Sequence, residues 1–140
     1  MNQQINILIT DNDQETVNVI ACVLETQGYS VSTSHSWCEV IHRLNNSSVD
    51  IALIDIDMTD MNYQTGIAAI KNASPNTKVI ATTSIELDNR TMDKLSDMGT
   101  LSVLPRPFDL NELVCALEFI ALDLDPVNNG ELAYAHGQTS

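Results

Sequence analysis

Short apolar runs alternate with helix-spaced apolar positions through the first 123 residues. Ile51-Ala52-Leu53-Ile54, bounded by Asp50 and Asp55, is continuous enough to predict a short strand buried on both faces. Ile7-Leu8-Ile9-Thr10, Thr77 to Thr83 and Leu101 to Leu104 predict similar strands, and Tyr29 to Thr33 alternates weakly as another. Between them the period changes to that of a helix. Val17, Ile20, Ala21 and Leu24 share one face, with Gly28 as the stop. Ser36 caps a short helix carrying Val40, Ile41 and Leu44, which ends at Asn45-Asn46. A third helix covers Gln64 to Asn72. Asp88 caps a fourth, with Thr91, Met92, Leu95 and Met98 inward and Gly99 as its stop. Asp109 caps the last, which runs to about Asp123.

Strand–helix alternation of this kind predicts a parallel sheet with crossover helices. Residues after Pro126 lack periodicity and contain Asn128-Asn129-Gly130 and Gly137-Gln138-Thr139-Ser140. The expected organisation is one domain over residues 1–123 and a flexible tail over 124–140, with no internal repeat and no second or output domain.

Charge narrows the partners. The formal net charge of -13 argues against electrostatic binding to nucleic acid or an anionic membrane. No stretch approaches the length of a membrane span, and Met1-Asn2-Gln3-Gln4 lacks the basic start of a signal peptide, so the expected location is the cytoplasm. Cys22, Cys38 and Cys115 are odd in number and widely spaced, and are expected as buried or half-buried free thiols.

In an open parallel sheet the working groups lie beyond the carboxyl ends of the strands. The strand ending at Asp55 puts a carboxylate there, with Asp57 two places on. Such a group can act as a nucleophile or hold a metal ion. The first strand runs into Asp11-Asn12-Asp13, the fourth into Thr82-Thr83-Ser84, and the fifth into Pro105-Arg106-Pro107. Folded in parallel, the tips form one acidic pocket with a hydroxyl and a cation at its rim.

These stretches resemble the receiver domain of bacterial two-component response regulators. The matching segments are Ile7 to Asp13, Gln27-Gly28-Tyr29-Ser30-Val31, Asp50 to Met58, Val79 to Ser84, and Gly99 through Pro107-Phe108, covering about residues 4 to 123 in order. The resemblance implies a flavodoxin-like (βα)5 sandwich, sheet order 2-1-3-4-5, with helices on both faces. It implies that Asp55 accepts a phosphoryl group from a histidine kinase or phosphotransfer protein, and that the chain signals to a downstream protein. It implies a magnesium site made by Asp11, Asn12, Asp55 and the backbone carbonyl of Asp57. Thr83 takes the position of the hydroxyl that binds the phosphoryl oxygen. Arg106 takes that of the lysine on the phosphoryl group, and Pro107 that of the proline that often follows a cis bond.

Several positions depart from that pattern. Asn12 is an amide where the family usually has a second acid, which removes charge from the metal site, so weakened magnesium binding is expected. Arg106 is longer and planar, and is expected to clamp Asp55 or Asp57 at rest. Asp13 is expected as a helix cap or first-turn acid, and the Asp57 side chain either adds charge to the metal site or is solvated. Val103 replaces the aromatic switch residue, and Tyr63 stands where glycine is common, so the loop before it is expected to differ. The expectation is thus an atypical, single-domain receiver that works through Asp55 phosphorylation, phosphate-independent binding, or both.

The alternative is enzymatic. Asp55-Ile56-Asp57-Met58-Thr59 also fits the D-x-D-x-T pattern of haloacid-dehalogenase-type phosphohydrolases, with Asp55 as nucleophile and Asp57 as acid/base. That family puts the motif on its first strand and needs a later acidic pair. His35, Cys38 and His42 look like half a metal site, but no matching ligands follow, so surface or packing roles are expected. Trp37 is expected to cap part of a core rather than to anchor an interface. The last helix is apolar on two sides. Leu110, Leu113, Val114, Leu117, Ile120 and Ala121 make the core face, while Cys115, Phe119 and Leu122 form a second stripe suited to a homodimer, a partner or the tail.

Overall fold

The computed structural model describes residues 4–11, 13–106 and 109–124. Asn12, Pro107 and the tail beyond residue 124 lie outside the described residues, so the expectations placed on them are not addressed by the fold.

Five strands and five helices alternate in chain order: β1 (Asn6–Thr10), α1 (Gln14–Thr26), β2 (Ser30–Ser34), α2 (Trp37–Asn46), β3 (Ile51–Asp55), α3 (Tyr63–Ala73), β4 (Lys78–Thr83), α4 (Asn89–Asp97), β5 (Thr100–Pro105) and α5 (Leu110–Leu124). All strand pairs are parallel and the sheet order is β2-β1-β3-β4-β5. This is the flavodoxin-like arrangement that the alternating pattern predicts. Chain order reverses at β1, so the C-terminal ends of β1 and β3 lie side by side.

Strand alternation divides the core into two faces. Leu8, Ala52, Ile54, Val79 and Ala81 pack with Trp37, Val40 and Leu44 of α2, Ile67 and Ile70 of α3, and Leu95 of α4. Ile7, Ile9, Ile51, Leu53 and Ile80 are buried on the opposite face. α1 packs against β1 and β2 and buries Val17, Ile20 and Leu24. β3 is buried at every position, which is why it reads as an unbroken apolar run.

The caps follow residue chemistry. Asp13 accepts from the Glu15 N–H and starts α1, and Ser36 accepts from Glu39 N–H and starts α2. Asn62 and Asp88 do the same for α3 and α4. Gly28 follows α1 with φ +96°, a conformation that side chains with a Cβ rarely adopt.

Three expectations need correction. Met92 of α4 is 40% exposed rather than inward, because Leu95 alone supplies the buried contact of that short helix. Leu101 is 53% exposed, because a register shift pairs Val79 with Thr100 and Ile80 with Ser102, leaving it unpaired in a bulge. Cys22, Cys38 and Cys115 are all exposed, since each sits on the solvent side of its helix.

Trp37 is fully buried, as expected of a core residue, and its indole Nε1 donates to the Met58 carbonyl at 3.3 Å. Gly66 of α3 makes room for it, since a Cβ there would collide with the indole ring. α5 buries Leu113, Leu117 and Ile120 and leaves Cys115, Phe119 and Leu122 exposed. Asp109 caps it by accepting from the Asn111 N–H at 2.8 Å.

Candidate functional site

Parallel register brings the strand tips together. Thr10 pairs with Ile54, and Asp55 with Thr82, so Asp11, Asp55 and Thr83 emerge at one edge of the sheet. Residue 106 is fixed there by its own backbone, whose N–H donates to the Thr83 carbonyl at 2.7 Å.

Asp55 is 2% exposed and Asp11 is buried beside it. Burial is the largest influence on the Asp55 carboxyl and pushes its pKa up. The Asp57 N–H and the Arg106 guanidinium oppose that shift, while the charges of Asp11 and Asp57 add to it. Arg106 Nη2 lies 2.5 Å from Asp11 Oδ2 and 3.0 Å from Asp55 Oδ2. The same nitrogen donates to the Thr82 hydroxyl at 3.1 Å. Arg106 does clamp the pocket, on Asp55 and Asp11; no ion pair to Asp57 forms among the described residues. Its Nε is buried with no hydrogen-bond partner among the described residues, a donor that an added anion would satisfy.

Asp57 makes a separate arrangement. Its N–H donates to Asp55 Oδ1 at 2.9 Å, turning the chain back beside β3. Its side chain is half-buried and reaches across to the end of β4. Oδ1 accepts from the Thr83 hydroxyl at 2.8 Å. Oδ2 accepts from the Ser84 N–H at 2.8 Å and from the Ser84 hydroxyl at 2.9 Å. Burial alone would raise the Asp57 carboxyl, but these hydrogen bonds outweigh it and hold the pKa below the usual carboxylate value.

Asp13 serves as a helix cap, its side chain bonded to Glu15 N–H and the Thr16 hydroxyl while its own N–H donates to Asp11 Oδ1 at 2.9 Å. Tyr63 is the first residue of α3, and no described residue other than glycine has a positive φ, so the loop after β3 follows a path that needs no glycine. His35, Cys38 and His42 do not form a metal site. They are exposed, and no group of three or more potential ligands is arranged to hold a metal among the described residues. A hydrogen bond with Asp60 pushes the Cys38 thiol up, which disfavours the thiolate.

Sequence reasoning missed three participants. Ser84 doubles the hold on Asp57, Thr82 shares Arg106, and Asp60 caps α2 by accepting from the Trp37 and Cys38 N–H groups, both at 3.1 Å. The Ser84 hydroxyl beside Thr83 was a visible cue. Asp60 had none, because its partners lie 22 and 23 residues away in sequence.

Comparison with known proteins identifies the family. A family model described as the response regulator receiver domain matches residues 7–118. The DNA-binding transcriptional regulator NtrC of Azospirillum brasilense is 30% identical over 112 residues, covering 80% of this chain and 23% of that protein. The CpxR homologue of Haemophilus influenzae is 27% identical over 124 residues, covering 88% and 53% respectively. The chain thus spans about a quarter to a half of these relatives' length. Among solved structures, a two-component response regulator from Clostridium difficile superposes with a TM-score of 0.81 at 21% identity, covering 87% of this chain and 99% of that one. A CheY-like receiver domain from Methanospirillum hungatei gives 0.77 at 22% identity, covering 83% and 92%. Nothing in the fold or the relatives favours the phosphohydrolase alternative: the D-x-D-x-T segment begins at the end of β3, not on the first strand. With a switch-point pocket of two buried carboxylates and a clamping cation, on this sheet and with these relatives, the chain belongs to the response regulator receiver domain family, the signalling module of two-component systems.

Proposed function

We propose that Asp55 accepts a phosphoryl group from a sensor histidine kinase or a phosphotransfer protein, the kinds of partner with which receiver domains interact. The observation that carries this reading is the position of Asp55 at the tip of β3, with Asp11 beside it and Arg106 3.0 Å away. In the transfer, an Asp55 carboxylate oxygen forms the new O–P bond. The P–N bond of the donor phosphohistidine breaks, and its electron pair stays on the imidazole nitrogen, which takes up a proton. The attack needs an ionised carboxylate. Burial works against ionisation and Arg106 works for it, so the guanidinium keeps the nucleophile available. Once the phosphoryl group is in place, the same guanidinium is suited to its oxygens.

Receiver domains typically bind magnesium at this acidic site. The donors here suit a hard cation, being all oxygen: the Asp11 and Asp55 carboxylates and the Asp57 carbonyl, with the Asn12 amide as a further candidate. When bound, magnesium would neutralise charge on the transferring group. Arg106 already offsets part of the charge of Asp11 and Asp55, so binding is weak in this reading.

Mass spectrometry tests the reading. The protein is incubated with magnesium and phosphoramidate, and intact mass is measured beside an Asp55→Ala control. The expected result is addition of one phosphoryl group to the wild type alone. No addition, or equal addition to the control, overturns the assignment.

No helix among the described residues is long and apolar enough to cross a membrane. The working location in this reading is the cytoplasm, and the domain acts by binding a downstream protein, with autophosphatase activity as its only catalysis. The exposed stripe of Cys115, Phe119 and Leu122 on α5 supports association with a second copy. Residues 1–123 act as the receiver and 124–140 as its tail.

A further inference from the structure

The C-terminal edge of the sheet holds two carboxylate arrangements. One is Arg106 with Asp11 and Asp55. The other is the Asp57 carboxylate with the Thr83 hydroxyl, the Ser84 N–H and the Ser84 hydroxyl, at 2.8 to 2.9 Å. A hydroxyl has one proton to give. The Thr83 proton goes to Asp57; its other possible acceptor, the Ile85 carbonyl, is farther away at 3.4 Å. The Thr83 oxygen in turn accepts from the Ile85 N–H at 3.1 Å, so the loop after β4 is shaped around this residue. Both Ser84 donors are spent on the other oxygen of the same carboxylate.

Asp57 cannot be far from anything attached to Asp55, because its N–H is bonded to Asp55 Oδ1. A phosphoryl group on Asp55 would bring about two negative charges and three acceptor oxygens to this corner. It would find Arg106 Nη2 shared among Asp11, Asp55 and the Thr82 hydroxyl, Nε as a guanidinium donor still open among the described residues, and the three donors of Thr83 and Ser84 already taken. It would also meet the like charge of Asp57.

We infer that the Asp57 carboxylate is a resident anion: it occupies the Thr83 and Ser84 donors in place of a phosphoryl group on Asp55 and is displaced when that group binds. The inference rests on Asp55 being the phosphoacceptor. Asp57 then does two things at once. It holds the loop after β4 in an anion-engaged arrangement without phosphorylation, and it opposes phosphorylation by competing for donors and by charge. Phosphate-independent signalling by this receiver is the consequence.

The test uses beryllium fluoride with magnesium, an anion that pairs with a carboxylate oxygen as a phosphoryl group does. Affinity is measured for wild type, Asp57→Ala and Asp57→Asn, while the Ser84 amide and Asp57 carboxyl resonances are followed by NMR. Asp57→Ala is expected to bind about tenfold tighter or better than wild type. Asp57→Asn keeps the size and one acceptor oxygen but loses the charge, so it is expected to show a smaller gain and serves alone if the alanine variant does not fold. In the wild type, saturation is expected to move both resonances as the donors change partner. No gain in either variant, or saturation of the wild type with both resonances unmoved, overturns the inference and leaves Asp55 standing as acceptor. If no variant binds the anion and phosphoramidate adds nothing to Asp55, the acceptor reading fails and this inference falls with it.

Discussion

Arg106 holds Asp55 at 3.0 Å with the nitrogen that also holds Asp11, so one guanidinium screens two buried carboxylates from each other. Removing it leaves like charges facing one another. Arg106→Ala is expected to raise the Asp55 pKa further above its already elevated value, because the main opposing cation is gone. It is also expected to cost about 2 kcal/mol of stability at neutral pH, less than a fully buried pair would lose because Arg106 is partly exposed. The Asp55 carboxyl carbon resonance followed with pH, together with urea unfolding, checks both effects. An unchanged titration would mean that the clamp is absent in solution.

The pH dependence of stability has two opposing parts. Asp55 is raised by burial, so its ionised form costs stability at neutral pH, and that cost is relieved as pH falls through its folded-state pKa. Asp57 is lowered, on balance, by its Ser84 and Thr83 hydrogen bonds, and Asp60 by those from Trp37 and Cys38. Their contribution is present above the ordinary carboxylate pKa and is lost as pH falls below it. Stability in metal-free buffer is therefore expected to rise on mild acidification and then to fall steeply below about pH 4. In Asp55→Asn the acid-side rise should shrink while the steep fall remains. Melting curves from pH 7 to pH 3 check this, and identical profiles for the two proteins would count against the Asp55 assignment.

The elements were legible in the sequence because their causes are local. Apolar period separates β3 from α1, and Asp13, Ser36 and Asp88 announce their helices by residue type. Asp55, Thr83 and Arg106 were legible as strand-tip residues, since parallel strands deliver their ends to one edge. Partner choice was not. That Asp57 bonds to Thr83 and Ser84 depends on contacts 26 and 27 residues away. The exposure of Leu101 depends on a bulge that alternation does not reveal. The exposure of the cysteines was misjudged because cysteine is usually buried, a tendency that the helix face overrides.

Asn12 lies outside the described residues, and its effect is an expectation from charge alone. Asn12→Asp adds a carboxylate beside Asp11. Magnesium should bind more tightly in the variant, and Asp55 should gain a phosphoryl group faster from phosphoramidate. The buried Trp37 offers the readout, since its indole is bonded to the Met58 carbonyl in the loop next to Asp57. A magnesium titration of its fluorescence with no gain in affinity would count against the pocket as a metal site.

Gly66 matters for packing rather than for backbone freedom. A Cβ there would lie inside the contact distance of the Trp37 ring, and the indole is enclosed on all sides. Gly66→Ala is expected to destabilise by about 1–3 kcal/mol, the usual cost of overpacking. A shifted Trp37 emission spectrum should accompany the lower melting temperature. An unaffected melt would show that α3 can move away from α2 at little cost.

The last expectation concerns association. Phe119 is 52% exposed and Leu122 is 37% exposed, and Cys115 lies on the same stripe of α5. Burying a phenylalanine contributes roughly 2 kcal/mol or more, so this stripe gains from a second surface. The net charge of -13 opposes self-association at low salt, and screening weakens that opposition. A dimer that tightens with salt is therefore expected. Phe119→Glu should abolish it, because the glutamate adds a charge where the copies meet and removes the ring. Sedimentation of the wild type as a monomer at high salt and high concentration would exclude the dimer. A sharp drop in melting temperature for Phe119→Glu would instead show that the stripe serves folding rather than association.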